Sequence, residues 1–194
     1  MIKFLFPLLF SFSVLALKPH TATYTLSTLD FDLAKVRITL SKIDNVYSYT
    51  LDAQTEGMIA LFLDYKIRTK SVFVINQFGL QTKHYQNFEQ GGEKVKKNID
   101  IYPKSQQVDP LNQTLAIVNI LEKNPTKKDF YFLVNDGKKI SKKHYYQTQN
   151  SNNNLIKFVS SNGDSEVYFA IDKYYLPVLI RHKKFTYRLN SIQF

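Results

Sequence analysis

The stretch that decides the fold is Asp109–Asn124, DPLNQTLAIVNILEKN, the one helical signature downstream of residue 17 in a chain that otherwise reads as strands and turns. Asp109 is a good N-cap and Pro110 sits where a first-turn proline loses no hydrogen bond. Asn124-Pro125 closes the segment, because a residue before proline avoids the helical region. Leu111, Leu115, Val118 and Leu121 recur at three- and four-residue spacing and Ile117 and Ile120 widen the stripe. Asn112, Gln113, Asn119, Glu122 and Lys123 supply a polar face. A helix of this kind needs a sheet to lie on.

The sequence on either side supplies one. Toward the N-terminus, His20–Thr28, Phe31–Leu40 and Val46–Thr55 alternate as strands, with Val36, Ile38 and Leu40 on one face and Tyr47, Tyr49 and Leu51 on another. Asp64–Ile75 and Leu80–Glu89 follow. The Gly91-Gly92 turn then leads to Glu93–Tyr102, with Val95, Ile99 and Ile101 expected inward. Gly57–Leu63, GMIALFL, reads equally as a short helical turn or a buried strand, and Lys104–Val108 as a polar loop. Beyond the helix, Asp136-Gly137 and Asn162-Gly163 mark hairpins, and Gln149–Asn154 is a polar tip. The spacing predicts a mainly β fold: about eleven strands in a single antiparallel sheet, curled into a roll or partial barrel so that its edges are not left open, with one covering helix.

Length and composition set the address. The chain has 194 residues with 44% apolar content, enough for one core. Met1–Ala16 reads as a secretory signal peptide: Lys3 is a minimal positive start, an apolar run follows, and Val14-Leu15-Ala16 fits a cleavage site. Residues 17–194 then form a single β-roll domain, exported to the periplasm. The run ends at Lys18-Pro19, short of the roughly 20 apolar residues a membrane span needs. The absence of cysteine excludes disulfides, thiolate metal sites, a cysteine nucleophile and a lipid-modified cysteine. The net charge of +10 is spread in lysine pairs near predicted turns, a pattern of solvation more than of a binding stripe. An anionic membrane surface stays open as a partner, whereas export and scattered lysines argue against nucleic acid.

Several motifs occur together in one order: Gly79-Leu80, Tyr85 and, after Gly91-Gly92, Ile99-Asp100; then Asp109-Pro110-Leu111; then Tyr175-Leu176-Pro177-Val178 and Leu189-Asn190-Ser191. Over Thr21–Ile192 this resembles the exported bacterial family called domain of unknown function 3108. The resemblance implies a rolled antiparallel sheet about a helix, in the periplasm, similar in outline to lipoprotein-carrier folds, and no enzyme activity.

No catalytic constellation is legible. The histidines His20, His84, His144 and His182 fall on separate strands, the aspartates sit mostly at turns, and no nucleophile elbow or phosphate loop is present, so neither a metal nor a cofactor is expected. The 13 tyrosines and 15 phenylalanines suit a half-buried sheet or the lining of a cavity for an amphipathic ligand. The first expectation is therefore a non-enzymatic binder of a lipid or other apolar envelope component, with Met58, Ile59, Leu61, Phe62, Leu115 and Val118 near the ligand. A scaffold docking an envelope protein is the alternative and an envelope-polymer enzyme a disfavoured third. Oligomeric state is not legible.

Overall fold

The computed structural model describes residues 17–148 and 154–194, except 30, 58, 59, 61 and 63. The leader expected over Met1–Ala16 lies outside them. Thirteen strands form one continuous sheet: β1 His20–Thr28, β2 Phe31–Ile43, β3 Val46–Thr55, β4 Tyr65–Asn76, β5 Gly79–Gly91, β6 Lys94–Ile101, β7 Gln107–Val108, β8 Asp129–Asn135, β9 Ile140–Gln147, β10 Leu155–Ser160, β11 Ser165–Ala170, β12 Leu176–His182 and β13 Phe185–Gln193. Their spatial order runs from β6 back to β1, on to β13, and back from β13 to β7, so the sheet is open, with β6 and β7 as its edges. Every neighbouring pair is antiparallel except β7 with β8. Among the described residues no helix is long and apolar enough to cross a membrane.

The sequence-based outline of a curled sheet with one helix agrees with this architecture, and the differences are local. Gln107–Val108, expected as part of a polar loop, adds a two-residue strand parallel to Leu133–Val134, too short to leave a periodic signal. Val95, expected inward, is exposed. A register shift between Glu89 and Gln90 sets it opposite Gln90 and leaves Lys97 opposite Glu89. Edge strand β6 carries Lys94, Lys96 and Lys97, charges that discourage a second sheet from pairing there.

Helix α1 spans Gln113–Lys123, four residues shorter at its start than expected. Pro110–Asn112 forms a turn instead, and Asn112, not Asp109, holds the N-cap position, with no side-chain capping bond. Asp109 caps the turn. Its Oδ1 accepts the backbone N–H groups of Leu111 and Asn112 at 2.8 and 3.1 Å. Its Oδ2 accepts the hydroxyls of Ser71 on β4 and, at 3.0 Å, Thr82 on β5. The Asn112 amide donates to both hydroxyls at 2.9 Å. All four side chains are buried, so this network ties the start of the helix to β4 and β5, the two strands nearest edge strand β6. Burial raises the Asp109 carboxyl to about 6, against the pull of its four hydrogen bonds.

From that anchor the helix runs toward the end of the roll where β1 begins. Only Lys123 of its residues is exposed, and the expected polar face is not a solvent face, since Asn112 and Asn119 are buried. Leu115, Ile117, Val118 and Leu121 join one core with Leu40, Tyr47, Tyr49 and Phe73. Phe130, Phe158 and Phe169 pack edge to face on the other wall, and the Tyr24 hydroxyl donates to the Pro177 carbonyl at 2.8 Å. This is the packed end. The opposite end, where β1 finishes and β3 meets β4, lies beyond the reach of the helix.

Candidate functional site

That opposite end holds an apolar cavity of about 350 Å³ on the inner face of β1–β5 and β13. Its origin can be followed along two inward-facing rows. On β2 the row runs Ala34, Val36, Ile38, Leu40, and on β3 it runs Thr55, Ala53, Leu51, Tyr49, Tyr47. From Ala34 and Ala53 both rows grow in side-chain size toward the packed end, and register sets their small members side by side: Ala34 opposite Thr55 and Val36 opposite Ala53. With no helix above it, the space that larger side chains would fill is left as a trough. Leu26, Leu33, Ile67, Phe185 and Tyr187 complete its apolar walls.

One corner is polar. The Tyr65 hydroxyl donates to Glu89 Oε2 at 2.9 Å, and Asn87 Nδ2 donates to Oε1 at 3.0 Å. Lys97 Nζ lies 3.4 Å from the same oxygen. Burial pushes the Glu89 carboxyl up, but these three partners together hold it below the usual range. Burial and the bond to Glu89 push the Tyr65 phenol up to about 12. The corner is thus a satisfied, charge-balanced cluster, suited to an apolar or neutral polar group and offering no free charge to an ionic one.

The residues named from sequence do not meet in one place. Leu115 and Val118 are at the packed end, where with Leu40, Leu17 and Pro177 they line a crevice of only about 20 Å³. That is room for about one water. His20 Nε2 and Glu122 Oε2 are buried beside this crevice with no hydrogen-bond partner among the described residues. Phe62 is exposed on the β3–β4 connection, between the cavity-lining residues Thr55 and Tyr65. Met58, Ile59 and Leu61 lie outside the described residues. The residues that do line the cavity, above all Ala34, Ala53, Tyr65 and Glu89, were not singled out in sequence. The available signal was the pair of alanines on inward positions of adjacent strands.

The polar clusters elsewhere are cross-strand surface pairs. His84 meets Asp100 at 2.7 Å and stacks on Tyr102, while His144 meets Asp129 at 3.0 Å and stacks on Tyr131. Ser165 Oγ lies 2.7 Å from His182 Nδ1, and the two are opposite one another on β11 and β12 in an exposed position. Among the described residues no three of His, Asp and Glu converge as a cation site would require. A wider depression of about 640 Å³ on β1–β4 and β13 carries both signs of charge, Lys35, Arg37 and Arg68 against Asp52 and Glu56.

A solved structure has the same fold: the β-barrel-like protein of domain of unknown function DUF1849 from Brucella abortus. It aligns over 90% of this chain and 97% of its own, with a TM-score of 0.54 and 9% identity. No family model matches the sequence, and no curated protein matches it. The resemblance to domain of unknown function 3108 is therefore corrected: no such family is found, and the neighbour in structure belongs to a differently named one. Motifs of two to four residues at turns and strand starts are too short to identify a family, even in a fixed order.

Proposed function

We propose that the protein binds a lipid chain or similar apolar envelope component in the open-end cavity, acting as a non-enzymatic binder after export to the periplasm. One observation carries this reading: an apolar trough of about 350 Å³ created by Ala34 and Ala53 in an otherwise closely packed interior. That volume is at the lower end of ligand pockets, which run from roughly 300 to 1,000 Å³. A stretch of roughly eight methylenes buried there contributes about 6 kcal/mol before ordering costs. Weak affinity is the consequence, since about 6 kcal/mol alone corresponds to roughly 40 μM and the ordering costs lower it further. The balanced Glu89–Lys97–Tyr65 corner favours a neutral polar group at the chain's end over a charged one. The leader read over Met1–Ala16 supports the periplasmic address, and the lysine-bearing edge strand disfavours the scaffold alternative, because β6 is ill suited to strand addition.

Native mass spectrometry of protein purified from a bacterial periplasm, with organic extraction of bound material, tests the proposal. The wild type is expected to carry lipid-range mass, and Ala53→Phe to carry none while keeping its circular dichroism spectrum. A wild type that is empty and stays empty with added envelope lipids contradicts it.

A further inference from the structure

We propose that the rim of the open end is a membrane-docking surface, through which the cavity faces a lipid bilayer. The inference rests on the cavity reading above and names the partner of the same site. Its first support is where exposed apolar side chains lie. Leu29 is 87% exposed, Phe31 65% and Phe62 87%. Each is two or three residues in sequence from a cavity-lining side chain: Leu29 from Leu26, Phe31 from Leu33, Phe62 from Tyr65. Large apolar side chains therefore stand on the lip beside the trough, interspersed with Thr28, Asp32 and Asp64.

Backbone conformation is the second support. Leu29 has φ +49°, in the left-handed region that a leucine adopts only at a cost. Gly92, Gly137 and Gly163 meet the same need with glycine in other turns, whereas Lys183, in the β12–β13 turn beside Leu29, shares the strained conformation at φ +53°. An exposed, conformationally strained leucine contributes nothing to packing, and strain without a structural return points to function.

Charge supplies the third. The β12–β13 turn lies against this lip, with the Thr28 hydroxyl donating to the Lys184 carbonyl at 2.9 Å. Lys183 and Lys184 are exposed, and neither forms an ion pair among the described residues. Lys184 Nζ sits 5.5 Å from the ring centre of Phe185, a cavity wall. Apolar side chains flanked by free lysines match the acyl boundary and the anionic headgroups of a bilayer surface. Ile43 and Phe78 at the packed end are exposed too, but each sits at a separate hairpin turn with no cavity behind it, which makes them the natural control.

The test is flotation of the purified protein with vesicles of phosphatidylethanolamine and phosphatidylglycerol. Wild type is expected to float. The combined Leu29→Ser, Phe31→Ser, Phe62→Ser variant should lose at least tenfold in vesicle affinity while still taking up dodecanol from solution. Ile43→Ser with Phe78→Ser should float as wild type. Ala53→Phe should also float while losing dodecanol, which separates a failed rim from a failed cavity. A wild type that stays in the soluble fraction overturns the docking inference, as does a rim variant that floats unchanged or release by the packed-end control.

Discussion

The two ends of the roll are built from the same strands and differ in what lies between them. At the packed end the helix fills the curl, and Leu115, Ile117, Val118 and Leu121 meet the large members of the β2 and β3 rows, Leu40, Tyr47 and Tyr49. At the open end the same rows dwindle to Ala34, Ala53 and Thr55, and a trough remains. The difference teaches that the packing that stabilises the roll and the space proposed to hold a ligand are kept apart in this molecule. Side chains near the helix fill the core, and side chains beyond its reach shape the cavity.

This division can be broken most severely at the junction. Asp109→Ala strips the acceptor from two backbone N–H groups and two buried hydroxyls at once, and is expected to cost about 3 kcal/mol or more in urea unfolding. Leu121→Ala, in the fully buried helix face, should cost about 3 kcal/mol and lower Tm by roughly 6–12 °C.

The Asp109 carboxyl sharpens the comparison through pH. Its folded value of about 6 lies above the ordinary 3.8, so the folded state binds the proton more tightly than the unfolded one. The stability this gives is fully present below about pH 4 and is lost as pH rises through about 6, by on the order of 3 kcal/mol at most. Urea midpoints measured from pH 4 to 7 should carry this slope in wild type and lose it in Asp109→Asn; an unchanged slope would remove Asp109 as its source. The smallest effects belong to the open end. Leu33→Ala should cost under about 1 kcal/mol, because Leu33 borders a space already empty. Ala53→Leu should leave thermal stability level or slightly raised by filling it. If Leu33→Ala cost as much as Leu121→Ala, the two ends would not differ as described.

Much of the packed end was legible in sequence, because a helix stripe such as Leu115, Val118 and Leu121 and alternating strands such as Val36–Leu40 are local patterns. What escaped depends on register. Asn112 and Asn119 look like a wet face in sequence, and Asn112 is dry because Ser71 and Thr82, from strands paired 30 or more residues away, supply its partners. The trough depends on Ala53 falling opposite Val36 and beside Ile67, and neither alanine is unusual within its own strand. Gly57–Leu63 stands out in sequence for its apolar run, and its flanking residues Thr55 and Tyr65 line the cavity. The family resemblance failed because motifs of two to four residues carry too little information to identify a family.

Alanine methyl groups report both ends in one experiment, since Ala34 and Ala53 belong to the open half and Ala22, Ala116 and Ala170 are buried in or beside the packed one. Titrating methyl-labelled protein with dodecanol and following these resonances tests the central claim directly. Saturable shifts at Ala34 and Ala53, with Ala22, Ala116 and Ala170 unmoved, are the predicted result. Unmoved Ala34 and Ala53 methyls, or shifts centred on Ala116, would contradict it.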